Sequence, residues 1–153
     1  MKVRLEIDES ITDDEVVIRC AQLSDELVEL QRRISDSSPG GMRLEVTKGD
    51  TLYYLGMKEL IFFETAGNYV AVHTKNEVYE TKQKLYELEE LLPRNFVRVS
   101  KSAIININQI RAVHKNITGA SEVEFVNSNK RAYVSRNYYK AMSDKMEEMR
   151  FKR

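Results

Sequence analysis

The sequence predicts an α+β chain, a mainly antiparallel β domain with short helices, preceded by an N-terminal strand-helix unit. Three features of the 153 residues lead there. After residue 41, short runs of strand character recur at roughly 8–12-residue spacing with turn formers between them. Only two helical patterns interrupt that stretch. Before it, Ser35-Asp36-Ser37-Ser38-Pro39-Gly40-Gly41 joins turn formers to flexible residues and reads as a linker. The chain therefore divides into an appendage with its linker, 1–40, and a larger domain, 41–153.

Lys2–Ile7 alternates, with Val3, Leu5 and Ile7 on one side and Lys2, Arg4 and Glu6 on the other, the pattern of a half-buried strand. Thr12-x-x-Glu15 has the form of a capping box, in which each side chain satisfies the other's free backbone N–H. A helix is expected from about Asp13 to Ile34. Its apolar residues Val16, Cys20, Leu23, Leu27, Leu30 and Ile34 make a heptad seam of under three heptads. Packing of one amphipathic helix and dimerisation fit that seam equally well.

In the larger domain, strands are expected at Arg43–Thr47, Thr51–Leu55, Ile61–Thr65, Tyr69–Thr74 and Val78–Thr81. Lys48-Gly49-Asp50 and Ala66-Gly67-Asn68 supply turns between them. Lys84–Leu92 sets Leu85, Leu88, Leu91 and Leu92 on one helical face, and Pro93 ends that helix. Strand character returns at Phe96–Val99, Ile104–Ile105, Ile110–His114, Ser121–Val126 and Arg131–Val134, with Asn127-Ser128-Asn129 as a hairpin turn. Ser135 can cap a closing helix, Arg136–Phe151, whose apolar face is Tyr138, Met142, Met146 and Met149.

No phosphate-cradling glycine loop, nucleophile elbow or His-x-x-x-His pair occurs, and His73 and His114 each stand alone on a strand, so no enzyme is expected. The single Cys20 supports neither a disulfide framework nor a zinc cluster. No metal, cofactor or small-molecule substrate is expected. No apolar run approaches the roughly 18 residues of a membrane span, and the N-terminus does not read as a signal peptide, so a cytoplasmic setting is expected.

The formal net charge of zero conceals an asymmetry. Residues 1–40 hold five Lys/Arg against ten Asp/Glu, and residues 41–153 hold nineteen against fourteen. Within 94–140 the basic residues are Arg94, Arg98, Lys101, Arg111, Lys115, Lys130, Arg131, Arg136 and Lys140, with only Glu122 and Glu124 opposing them. Such a block attracts polyanions through counterion release, although a solvated basic face has the same composition. Its strands and turns contain no helix-turn-helix pattern, and no aromatic strand motif of an RNA-recognition module is present.

Three segments carry a family resemblance. Ile61-Phe62-Phe63-Glu64-Thr65-Ala66-Gly67-Asn68-Tyr69-Val70 resembles the first signature of LytTR-type DNA-binding domains. Phe96-Val97-Arg98-Val99-Ser100-Lys101-Ser102-Ala103-Ile104-Ile105-Asn106 resembles the second, commonly aromatic-x-Arg-x-His-[Arg/Lys/Asn]-Ser-x-x-x-Asn, with Ser100 at the position where His is common. Val134-Ser135-Arg136 resembles the third. The likeness runs from about Met42 to Phe151.

The resemblance implies small antiparallel sheets whose loops enter the grooves of double-stranded DNA, and a transcription regulator that reads direct repeats in promoters as a homodimer. It places Asn68, Lys101 and Arg136 at base-reading positions. Arg136 suits guanine O6 and N7, Asn68 suits adenine N6 and N7, and Lys101 suits guanine or phosphate. Arg98, Ser102, Lys130, Ser135 and Asn137 are expected as phosphate contacts. Each has a local alternative: Asn68 as a turn residue, Ser135 as a cap, Arg98 as an outward strand residue. The first forty residues are too few for a receiver domain, so segment 2–34 is expected to dimerise or to meet a membrane-bound regulatory protein. An interaction module for an acidic protein and an RNA-binding protein are the alternatives.

Overall fold

The structure is a computed structural model that describes residues 1–12, 14–37 and 42–150, with the side chains of 35–37 and 150 outside the description. Most of the linker and Phe151 therefore lie outside the described residues. The chain forms two compact units, Met1–Gly41 and Met42–Arg153.

In the first unit, the predicted strand over Lys2–Ile7 is not formed. Those residues lack regular structure, and Val3, Leu5 and Ile7 are 95%, 88% and 87% exposed. A strand needs a neighbour for its backbone groups, and alternation alone supplies none. The predicted helix from about Asp13 is also corrected: α1 covers Asp25–Ser37, and 14–20 carry no regular structure. Ser24 starts it, its Oγ accepting from Leu27 N at 3.2 Å and its carbonyl from Val28 N at 3.1 Å. The β-branched run Val16-Val17-Ile18 resists helix without packing to compensate. The seam shortens to Leu27, Leu30 and Ile34, all partly exposed.

The second unit begins with β1 (Arg43–Lys48) and β2 (Thr51–Gly56), then β3 (Phe62–Ala66), β4 (Tyr69–His73) and β5 (Val78–Thr81). Helix α2 (Leu85–Leu91) follows, the Glu87 carboxylate accepting from Lys84 N at 3.1 Å at its start. Next come β6 (Phe96–Ser100), β7 (Ala103–Asn106), β8 (Ile110–His114), β9 (Ser121–Phe125) and β10 (Arg131–Val134), closed by α3 (Arg136–Arg150). Single 3₁₀ turns, Met57–Glu59 and Ile107–Gln109, precede β3 and β8. The strand expectations after residue 41 therefore hold, with ends shifted by a residue or two.

One sheet has seven strands in the order β2-β1-β5-β4-β3-β7-β6, and the other three, β10-β9-β8; every pairing is antiparallel. Alternation divides the shared strands between two cores. Phe63 and Ile104 join Val46, Val72 and Leu88 of α2 on one face. Phe62 and Ile105 join Val123, Phe125, Val134 and Met142 of α3 on the other. The expected apolar face of α3 packs there too, through Tyr138, Met146 and Met149.

Asn106 is 2% exposed and hydrogen-bonded through both polar atoms of its side chain. Its Nδ2 donates to Leu60 O at 2.9 Å, and its Oδ1 accepts from Asn95 Nδ2 at 2.8 Å and Asn108 N at 3.0 Å. A second polar tie joins the two sheets at the His73 end of β4. Lys130 Nζ lies 3.2 Å from His73 Nδ1 and donates to Glu77 O at 2.6 Å, while His73 Nε2 lies 2.8 Å from Glu64 Oε1. An ammonium can only donate, so the network assigns His73 the neutral form with its proton on Nε2. Burial lowers the His73 pKa, the Glu64 hydrogen bond opposes it, and the Lys130 charge lowers it further.

Because the folded-state pKa lies below the ordinary 6.5, the contribution to stability is present above that value and is lost as pH falls through the folded pKa. Urea denaturation should show stability declining from about pH 7 to pH 5.5, before carboxylates titrate. His73→Gln should flatten the decline. An equal slope in both proteins would remove His73 as its source.

Candidate nucleic-acid interface

Two hairpin loops and one helix start are held together at a single end of the seven-stranded sheet. The first loop is Gly67-Asn68, between β3 and β4, with Ala66 opposite Tyr69. Gly67 has φ +66°, the left-handed conformation that a two-residue hairpin with glycine first requires. Asn68 beside it is exposed, and its side chain makes no hydrogen bond to a described residue.

The second loop is Lys101-Ser102, between β6 and β7, with Ser100 opposite Ala103. Neither loop residue has positive φ, so the usual primed hairpin turns are not used here. A register shift between Arg98 and Ser100 absorbs the mismatch in twist. Arg98 locks the result. Its Nε donates to Ser100 O at 2.7 Å, its Nη2 to Lys101 O at 2.6 Å, and its Nη1 pairs with Glu89 of α2. The Lys101 ammonium is left exposed and unpaired among the described residues. Ser102 is exposed, with its N donating to Ser100 Oγ at 3.1 Å.

Backbone hydrogen bonds fix the relative places of the three points. Thr65 N, just before the first loop, donates to Ser102 O at 2.9 Å. Ser135 N, just before α3, donates to Val99 O at 2.9 Å. Asn68, Lys101 and Arg136, far apart in sequence, are thereby tied to one hairpin. Arg136 and Asn137 are exposed in the first turn of α3 and make no ion pair with a described residue. Ser135 directly precedes the helix, and its hydroxyl makes no hydrogen bond to a described residue, so the expected side-chain cap is not formed.

Lys130 is not part of this group. It sits with His73 and Glu77 at the other end of β4, about five residues or roughly 16 Å of strand from Asn68. Burial there pushes its pKa down, with Glu77 and Glu64 acting in the opposite sense.

Most of the basic block is engaged within the protein in three dimensions, four of its nine cations in ion pairs. Arg94 pairs with Glu148, Arg98 with Glu89, Arg131 with Glu122 and Glu124, and Lys140 with Asp144. Lys115 lies 5.0 Å from the Tyr139 ring centroid. Arg131 and His114 together hold the Glu124 carboxyl below its usual range, the His114 hydrogen bond being the larger cause. Among the nine basic residues of 94–140, those whose cation has no partner among the described residues are Lys101, Arg111 and Arg136. Two of them are expected reading positions.

An open cleft lies between the two loops, lined in part by Asn68, Lys82, Gln83, Lys84, Arg98 and Lys101. The sequence reading did not single out Lys82 or Lys84, which lie outside the most basic stretch. The signal for them is the β4–β5 register: Val70 opposes Thr81, which carries the following residues alongside the Asn68 loop.

A family profile described as LytTr DNA-binding domain matches residues 50–147. Among curated proteins, a Staphylococcus aureus (strain NCTC 8325) protein named an uncharacterized HTH-type transcriptional regulator is 24% identical over 146 residues, 95% of this chain and 98% of that protein. A counterpart in S. aureus strain MRSA252 is 23% identical over the same coverage. In this chain five strands separate α2 from α3, so the described residues of the second unit present no consecutive helix pair. Among solved structures, a LytTr DNA-binding domain from Bacillus cereus has the same fold, with TM-score 0.64 and 22% identity, covering 70% of this chain and 98% of that one. The profile match, the shared fold and the three signatures on one sheet end agree: the chain belongs to the LytTR DNA-binding domain family.

Proposed function

We propose that this protein is a transcription regulator that binds double-stranded DNA sequence-specifically through the end of the sheet bearing Asn68, Lys101 and Arg136. The observation that carries the reading is the convergence of three side chains, each without a partner among the described residues, on two hairpin loops and a helix start. Such groups keep their hydrogen-bonding capacity for a ligand. Arg136 donates two bonds to guanine, Asn68 both donates to and accepts from adenine, and Lys101 supplies a mobile charge. Ser102, Ser135 and Asn137 flank them and contact phosphates. Arg98 acts through the backbone it holds, and Lys130 through the tie between sheets.

The protein acts in the cytoplasm as a homodimer on direct repeats in promoter DNA, with no metal or cofactor. Support for self-association is the seam Leu27, Leu30 and Ile34 on a helix of 13 residues, too short to be stable alone in water. Apolar side chains exposed ahead of it, among them Val3, Leu5 and Ile7, suit a second contact with a membrane-bound regulatory protein. No helix among the described residues is long and apolar enough to cross a membrane.

Binding of a duplex selected by the wild-type chain, compared with a random duplex by fluorescence anisotropy, tests the reading. Arg136→Ala should weaken the selected duplex by roughly 1–3 kcal/mol and the random one far less. Equal losses would reassign Arg136 to phosphate. Arg98→Lys should lower affinity for the selected duplex by about tenfold with an unchanged salt slope, because lysine cannot bridge two carbonyls and a carboxylate. In Arg98→Ala, which removes the charge, a slope reduced by about 0.9 would instead make Arg98 a phosphate contact. Leu30→Glu should convert the dimer to monomer in sedimentation and abolish cooperative binding to paired repeats; a dimer that survives it would exclude the seam.

A further inference from the structure

We propose that the cleft between the Asn68 and Lys101 loops is a phosphodiester-binding site, with Lys82 and Lys84 as its principal donors. The inference rests on the DNA-binding reading and adds a site outside the three signature segments.

The chemistry of the cleft is one-sided. Its lining includes Lys82, Lys84, Arg98 and Lys101 and contains no carboxylate. The two carboxylates of α2 nearest in chain are otherwise engaged: Glu87 accepts from Lys84 N, and Glu89 pairs with Arg98. The Arg98 guanidinium is occupied by Glu89 and two carbonyls, which leaves the ammonium groups as the free cations of the cleft. Lys82 and Lys84 are exposed, and neither ammonium has an ion-pair partner among the described residues. Carboxylates of the kind that pair with Arg94, Arg131 and Lys140 are therefore absent from the lining.

Position selects the ligand. Val70 opposes Thr81 in the β4–β5 ladder, so Lys82 follows directly at the edge of the Asn68 hairpin. Lys101 stands across the cleft on the other hairpin. A nucleic-acid strand whose bases meet both loops must carry its backbone over the gap between them. A lysine contributes a point charge without base discrimination, which suits a phosphate that sets register and carries no sequence information. Gln83, between the two lysines, adds a neutral amide donor.

The test uses the full chain, a duplex selected by the wild type, and a random duplex, across a salt series. Lys82→Ala/Lys84→Ala should reduce the magnitude of the salt slope by about 1.8, two phosphate contacts at roughly 0.9 each. Both duplexes should weaken by the same factor, leaving the ratio of their affinities unchanged. Lys82→Arg/Lys84→Arg should retain the wild-type slope, and so should Lys75→Ala at the opposite end of β4. An unchanged slope in the double alanine variant, with the wild type binding normally, overturns the proposal alone. Loss confined to the selected duplex overturns it also, since the lysines would then read bases. Failure of the wild-type protein to enrich any duplex in the selection overturns the DNA-binding reading and this site with it. An unchanged urea midpoint in the alanine variant excludes unfolding as the cause.

Discussion

Strand β7 is the constraint on which the rest of the second unit depends. It pairs with β3 on one side and β6 on the other, and all four of its residues are buried. Ile104 and Ile105 are fully excluded from solvent on opposite faces, one in each core. Burial of such side chains contributes about 1.5–3 kcal/mol each. At the end of the strand, Asn106 ties the entry to β3 and the approach to β6 through bonds whose loss would orphan buried groups at about 1–3 kcal/mol each. Its register is consequently tightly specified. A slip of one residue would turn each isoleucine toward the opposite core and press Ser102 or Asn106 into the apolar packing around Ile105.

That register reaches the surface. With β7 fixed, Ser102 must lie beside Thr65, and Val99 must meet Ser135, so the loops and the start of α3 share one edge. Arg98 then shapes the Lys101-Ser102 turn from inside. A rigid β scaffold thus holds small loops in a defined geometry, which favours readout by a few side chains over insertion of a long helix. The opposite end of β4 does a different job, with His73, Lys130 and Glu77 joining the sheets.

The charge pattern changes meaning in three dimensions. Exposed ion pairs such as Lys140 with Asp144 contribute little to stability, typically 0–1 kcal/mol. Their consequence is selective neutralisation. The partners Glu89, Asp144 and Glu148 come from outside 94–140, so counting charges within that segment overstates its free positive charge. The cations without a partner among the described residues include Lys101 and Arg136, and Lys82 and Lys84 from a less basic stretch line a cleft with Lys101.

Local pattern was enough for most of the second unit. Alternation, turn formers and Pro93 located its strands and α2, because two-residue periodicity and restricted dihedrals act within a few residues. The three signatures brought out Asn68, Lys101 and Arg136, which the strand pairing gathers at one end of the sheet. Alternation misled at Lys2–Ile7, where no neighbouring strand among the described residues completes the hydrogen bonds, and the heptad spacing overran the start of α1 at Ser24. The sequence by itself determined where the chain can turn, extend and bury apolar groups. Only the tertiary structure decided which strands pair, that Arg98 and Lys130 bond within the protein, and that Lys82 and Lys84 line one cleft with Asn68 and Lys101. The reason is physical: dihedral preference and periodicity are local, whereas pairing and charge neutralisation depend on residues brought together only when the sheet closes.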